Sequence, residues 1–201
     1  MNRINYHTIK RHEDVPFDQY LKFKGYSHSF LKSEINGVAS DFVSSDKVRL
    51  GSMVDAILTA PDEVDFLAYN YNIAKVFAHK IRSEWGECIK LFKSQISYTA
   101  TAEFCGFEIP VTGRLDWLLE DIAVVDLKVT HEKNVKSLIK HMGYENQMFN
   151  YCKMAKVNVA YIMVYSVPLN EVIIHKVDCS GSNNKFWEEK IIKFGKIRND
   201  G

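Results

Sequence analysis

The sequence predicts an α/β domain with helices packed on a central mixed sheet, and three observations lead to that class. Its 201 residues suit one hydrophobic core without division into two. Apolar residues make up 46% and charged residues 25%, the balance of an ordinary globular chain. The apolar period turns from helical to strand-like after Ser94 and back to helical near Asn134, the alternation expected of a layered α/β fold. No repeat, low-complexity tract or Pro/Gly/Ser-rich linker interrupts the chain. Residues 1–201 are therefore expected to form a single domain, with residues 1–48 as short helices and loops packed on its core.

Each element has its own local signal. Over residues 49–60, Leu50, Met53, Val54, Ile57 and Leu58 recur at helical spacing, and Pro61 ends the run. A second helix is expected over 73–92, burying Val76, Phe77, Ile81, Trp85, Cys88, Ile89 and Phe92. Residues 96–104, 107–118 and 122–129 read as three strands. Turns at Cys105-Gly106 and Glu120-Asp121 join them into an antiparallel meander. Helical character returns over 134–155, with a break near Gly143. Residues 159–166 are almost continuously apolar, as in a strand covered on both faces. A strand over 171–177 and a helix over 184–197 complete the order.

Several function classes lose support at this stage. Cys88, Cys105, Cys152 and Cys179 are scattered, with no Cys-x-x-Cys pair, so zinc and iron–sulfur sites lack a ligand pattern and reduced thiols are expected. The first fourteen residues lack the apolar stretch of a signal peptide, and no apolar run approaches the roughly 18 residues of a membrane span. The expected location is the cytoplasm, with no membrane partner. A net charge of +1 does not exclude nucleic acid, because a basic groove can hide in a neutral average.

The chemistry-bearing pattern is Gly113-Arg-Leu-Asp116 followed by Val125-Asp126-Leu127-Lys128. Asp126 and Lys128 lie two apart on one strand and leave the same face, while Leu127 points to the other. Asp116 sits on the preceding strand, where it could reach that face. Two carboxylates and an ammonium on one surface conflict unless a proton or a cation intervenes, and a divalent ion removes the conflict. Mg²⁺ or Mn²⁺ takes oxygen ligands and keeps several waters, so Asp116, Asp126 and the Leu127 carbonyl would suffice. Such an ion lowers the pKa of a bound water and neutralises phosphate charge, with Lys128 orienting the water or stabilising the developing charge. An Asp-x-Lys triplet alone more often marks a solvated strand face with an ion pair. Here Asp126 interrupts the apolar run Ile122-Ala-Val-Val-Asp126-Leu127, where a buried charge is costly without a partner. A second pattern, Tyr144-x-x-Gln147-x-x-x-Tyr151, puts three polar groups on one helix face, either burying tyrosines or facing a phosphate or water at the site.

These motifs together resemble the RecB-type branch of the PD-(D/E)xK nucleases, with closest likeness to RecE/exonuclease VIII-like phage recombination exonucleases. Ser27-x-Ser29-x-Leu31-Lys32 resembles that family's N-terminal Ser-x-Ser-x-Leu element. Leu50-Gly-Ser-x-x-Asp55-Ala-x-Leu58 before Pro61 resembles its Leu-Gly-x-x-x-His helix, so the likeness runs from about residue 27 to 166. The resemblance implies a restriction-endonuclease-like core and Mg²⁺ or Mn²⁺ held by Asp116, Asp126, Leu127 and Asp55. It also implies catalytic roles for Asp116, Asp126, Lys128, Gln147 and Tyr151. The implied activity is resection of double-stranded DNA ends, 5′ to 3′, with a homo-oligomer and a single-strand annealing protein as expected partners. Two departures stand out. Asp55 replaces the family's metal-ligating His, and a Glu at the start of the first core strand falls either to Gln95 or to Glu103.

Candidate DNA contacts are Arg114, Thr130, Tyr144, Lys133, Lys136 and Ser29. The basic sets Lys133, Lys136, Lys140, Lys153, Lys156 and Lys75, Lys80, Arg82, Lys90, Lys93 are either solvated helix faces or sequence-independent phosphate contacts. Tyr20, Phe23, Tyr26 and Phe30 are expected mainly to pack in the core. Rival readings are a catalytically degenerate DNA-binding module of the same fold, a CRISPR-adaptation-type nuclease without the usual clustered cysteines, and a plain structural domain.

Overall fold

The computed structural model of the chain describes residues 3–33, 53–58 and 71–197. Its longest pairing joins β2 (Lys93–Phe104) to β3 (Phe107–Leu119). Alternate residues Ile96, Tyr98, Ala100, Ala102 and Phe104 are buried along one face of β2. Cys105 (φ 53°) and Gly106 (φ 79°) both take positive φ, as a two-residue turn matched to strand twist requires. After a second turn, β4 (Ala123–Thr130) returns antiparallel to β3, completing the expected meander.

The chain then leaves the sheet. Asn134 caps α5 (Val135–Met142) by accepting from Ser137 N at 3.1 Å. Gly143, at φ 66°, ends α5 in the left-handed region and opens α6 (Tyr144–Ala155), so the break falls where the sequence placed it. This crossover returns the chain to β5 (Val159–Ser166), parallel to β4 and buried at nearly every position. β6 (Glu171–Asp178) folds back antiparallel at the sheet edge.

The seven-stranded sheet runs β1-β2-β3-β4-β5-β6, with the short β7 (Lys196–Ile197) paired to the start of β3. Helices cover both faces. On one, Val54 and Ile57 of α3 (helical residues 53–58) and Phe77 and Ile81 of α4 (Tyr71–Trp85) pack with Trp117, Val125, Leu127 and Met163. On the other, Met148, Cys152 and Met154 of α6 and Trp187 and Ile191 of α7 (Lys185–Phe194) pack with Val111, Leu115, Val124 and Ile162. Among the described residues no helix is long and apolar enough to cross a membrane.

The structure corrects four expectations. Part of the N-terminal segment is a strand, β1 (Asn5–His12), before the short helices α1 (Phe17–Tyr20) and α2 (His28–Ser33). Its register shifts between His7 and Lys10, with Thr8 at φ 51°, so Tyr6 and Ile9 both reach the core although three apart. The bulge erased the period-two signal. The second helix stops at Trp85 and continues as a 3-10 turn over Gly86–Leu91, because Gly86 takes φ 49°. Val76 and Cys88 face solvent instead of the core, since the buried stripe runs through Ala74, Phe77, Ala78 and Ile81. The last helix ends at Phe194, and Lys196–Ile197 pair with β3. Residues 34–48, Leu50 and the flanks of α3 lie outside the described residues.

Gly113 lets α6 approach the sheet. A Cβ there would stand 2.8 and 2.9 Å from Tyr151 ring carbons. Gly113→Ala is expected to lower unfolding stability by about 1–3 kcal/mol, the usual effect of overpacking, read as a lower urea midpoint.

Candidate active site

The pairing of β3 with β4 covers only Trp117 with Val125, Leu118 with Val124, and Leu119 with Ala123. One further step in that register would set Asp116 opposite Asp126, and there the strands part. A freed backbone N–H must find another acceptor. The Leu127 N–H donates to Asp116 Oδ2 at 2.7 Å, so a side chain replaces the missing ladder bond. The fork in the sheet thus holds two carboxylates close together.

Asp126 is 2% exposed, and its Oδ2 lies 2.5 Å from Lys128 Nζ. Lys128 is the charged partner of that buried oxygen, which accepts no further hydrogen bond among the described residues. Lys128 Nζ also sits 5.2 Å from the centre of the Tyr144 ring, which ties it to the start of α6. One turn further along α6, Gln147 Nε2 donates to the Tyr151 hydroxyl at 2.7 Å, and both side chains are buried. Gln147 and Tyr151 thus meet through their i, i+4 spacing, on the helix that covers the fork.

Charge and burial set the protonation of this group. Burial, then the neighbouring Asp126 charge, push the Asp116 carboxyl up to about 7, against the opposing pull of Lys128 and the Leu127 N–H. Burial would lower the Lys128 ammonium, yet Asp126 and Asp116 hold it above the ordinary lysine value. Burial keeps the Tyr144 and Tyr151 hydroxyls protonated well into the alkaline range. A buried carboxylate whose charged partner is a single ammonium, beside a second carboxyl that resists ionisation, is a donor set suited to a hard divalent cation.

Asp55 stands on the other side of this arrangement. It is buried on α3, where Trp117 Nε1 donates to its Oδ1 at 2.5 Å. Burial raises its carboxyl, opposed by hydrogen bonds from Trp117 and Gln95 and by the Arg114 charge. Among the described residues, only His7, Glu103 and Glu108 bring three such ligand atoms within 4.8 Å of one another. Asp55 therefore does not complete a preformed three-carboxylate cage with Asp116 and Asp126. Leu127 engages Asp116 through its N–H.

Strand register places Gln95 and Glu103 at opposite ends of the β2–β3 hairpin. Ser94 pairs with Trp117 and Ile96 with Leu115, which leaves Gln95 facing Asp116 at the start of β2. Glu103 pairs with Glu108 near the opposite end of that hairpin.

The remaining candidates divide by exposure. Arg114 donates from Nε to Gln95 Oε1 at 2.9 Å and from Nη1 to Val15 O at 2.6 Å, and it lies 5.7 and 5.9 Å from the ring centres of Phe17 and Tyr20. Thr130 is buried and its Oγ1 accepts from Glu132 N at 3.0 Å. Tyr144 is half-buried, whereas Ser29, Lys133 and Lys136 are exposed. In the second basic set, Lys93 pairs with Glu120, Lys90 with Glu87, and Arg82 donates to Ile57 O. Sequence reasoning missed Trp117 as the partner of Asp55. Its signal was a buried indole beside Asp116, because a buried indole N–H needs an acceptor.

No family model matches the chain, and no curated protein matches it. A solved structure of a provisionally named exonuclease from Eubacterium rectale is similar over 80% of this chain and 67% of its own, at 19% identity and a TM-score of 0.50. A phage-related exonuclease from Haemophilus somnus 129PT is similar over 85% of this chain and 84% of its own, at 13% identity and a TM-score of 0.38. The first likeness shows a shared α/β fold, a mixed and mostly antiparallel sheet flanked by helices.

Asp116 also makes stability depend on pH. Between the ordinary aspartate value of about 4 and its folded value of about 7, the metal-free folded state holds a proton that the unfolded chain gives up. Stability conferred by that proton is present below pH 4 and is lost as pH rises to 7. Urea midpoints in chelator are expected to fall across this window, and Asp116→Asn removes that component of the slope.

Proposed function

We propose that the protein is a Mg²⁺- or Mn²⁺-dependent deoxyribonuclease that degrades double-stranded DNA from its ends. The observation that carries this reading is the forked sheet, where the buried Asp116 and Asp126 carboxyls and the Lys128 ammonium converge. Asp116 and Asp126 would hold the ion, with the Leu127 carbonyl and Asp55 as further candidate ligands. When bound, such an ion supplies a water of lowered pKa and neutralises charge on the scissile phosphate.

The chain's own groups have distinct parts in this reading. Lys128, held as an ammonium by two carboxylates, is a donor and not a base, which suits it to stabilise negative charge on the phosphate or to orient water. The Tyr151 hydroxyl accepts from Gln147 and keeps its proton, so it can donate to a phosphate oxygen. Gln147 thereby fixes the direction of Tyr151. Exposed Lys133, Lys136 and Ser29 would meet the DNA backbone without reading sequence.

The motif resemblance to RecE/exonuclease VIII-like enzymes extends the proposal to 5′–3′ polarity, a role in phage-type recombination in the cytoplasm, a homo-oligomer around DNA, and a single-strand annealing partner. A second reading, the degenerate DNA-binding module, is supported by the withdrawal of Asp55 toward Trp117.

The test uses end-labelled linear and closed circular duplexes with Mg²⁺, Mn²⁺ or chelator, beside Asp126→Ala and Lys128→Met. The linear duplex is expected to shorten from its ends only with metal, and the circle to survive. Asp126→Ala should be silent, and Lys128→Met should be slower by at least about a hundredfold, as for loss of a charge-stabilising donor. Cutting of the circle would replace the exonuclease with an endonuclease. DNA bound but uncut under every condition would establish the degenerate module.

A further inference from the structure

His28, the first residue of α2, is 5% exposed, and its Nε2 has no hydrogen-bond partner among the described residues. A buried ring nitrogen left alone is costly in either tautomer unless something outside the chain meets it. The imidazole packs with its centre 5.1 Å from that of the Phe186 ring on α7, and Nε2 faces the start of α6. A Cβ on Gly143 would stand 3.5 Å from this nitrogen and 3.3 Å from Asn146 Nδ2. The bare glycine thus lets two side-chain nitrogens approach one place.

A relay of hydrogen bonds makes the second nitrogen a donor. The Trp187 N–H donates to Asn184 Oδ1 at 3.2 Å, so Asn184 offers its Nδ2, which donates to Asn146 Oδ1 at 3.1 Å. With its oxygen taken, Asn146 presents Nδ2 toward His28. An Nε2–H imidazole and this amide together call for an acceptor, and the surroundings favour an anionic one. The twelve-residue α6 has no side-chain cap, so its first N–H groups and its dipole open on the same place. Its first-turn acid, Glu145, is turned away to His175 at 2.8 Å. Lys32 Nζ donates to Met142 O at 2.8 Å and covers the last carbonyl before Gly143. Burial, then the Lys32 and Lys128 charges, hold the His28 imidazole down to about 3, so it is a neutral donor. Lys128 Nζ lies 5.2 Å from the ring centre of the next residue, Tyr144, so the place adjoins the fork. We propose that His28 Nε2 and Asn146 Nδ2 bind an oxygen of a DNA phosphate next to the one that meets the metal. The inference rests on the nuclease reading above and deepens it.

Duplex affinity of the full chain is read by fluorescence anisotropy across a salt series, with Ca²⁺ in place of Mg²⁺. His28→Phe keeps a ring against Phe186 and loses the donor. It is expected to weaken binding about tenfold, as for one hydrogen bond to a charged group. Because the imidazole is neutral, it displaces no counterion, and the slope of log Kd against log salt stays that of the parent. Asn146→Asp, on another helix, keeps the oxygen that serves Asn184 and turns the donor into a carboxylate oxygen. It tests the same site independently and should weaken binding about a hundredfold, since like charges then meet. Inorganic phosphate, without DNA or metal, should shift the ¹⁵N resonance of the His28 imidazole to saturation, and chloride at equal ionic strength should not. Parental duplex affinity in Asn146→Asp, or a His28 resonance indifferent to phosphate, would overturn the phosphate site, assign the place to a structural water and leave the nuclease reading intact. A parent protein that binds no duplex overturns both.

Discussion

A sheet cannot open between two strands unless the backbone groups it frees find new partners, and here a single amide proton meets that condition. The Leu127 N–H, which would otherwise bond across to β3, is taken by the Asp116 carboxylate. One side chain thereby terminates the β3–β4 ladder and brings its charge next to Asp126. Everything proposed for the site depends on that substitution, since an uninterrupted ladder would hold both aspartates in a closed surface with no room between them.

The two apolar layers hold the fork from either side. On the α6 face, Gly113 admits Tyr151 against β3, and Tyr144 meets Lys128. On the α4 face, Trp117 fills the core beneath the fork and reaches Asp55 with its indole nitrogen. Because Trp117 is next to Asp116 in the chain, packing on one face and charge on the other are set by consecutive residues. That is a common way for a rigid strand to place a functional group, and it leaves the surrounding loops free to differ.

Much of the arrangement was legible because it is local. Asp126-x-Lys128 on a strand and Tyr144, Gln147 and Tyr151 on a helix follow from the two backbone periods alone. The meander, the doubly covered β5 and the break at Gly143 follow from turn chemistry and apolar runs. What stayed hidden depends on residues far apart in sequence. A bulge concealed β1, and alanines on the buried stripe of α4 made Val76 look interior. The links from Gln95 to Arg114 and from Trp117 to Asp55 span 19 and 62 positions, and no periodicity reports them. That Gln95 and Glu103 lie at opposite ends of one hairpin is visible only in the strand register.

The edge strand β1 bears on the order in which the molecule assembles. Asn5 pairs with Glu103 and His12 with Ser97, so this strand closes a loop of roughly ninety residues, whereas the β2–β3 hairpin closes through a two-residue turn. Chain entropy delays the longer closure, and hairpins form before distant strands in such topologies. The Val15 carbonyl and the Phe17 and Tyr20 rings that fix Arg114 follow directly after β1. The hairpin is therefore expected to close before β1 docks, so the segment that fixes Arg114 would order after the strands that carry Asp116 and Asp126.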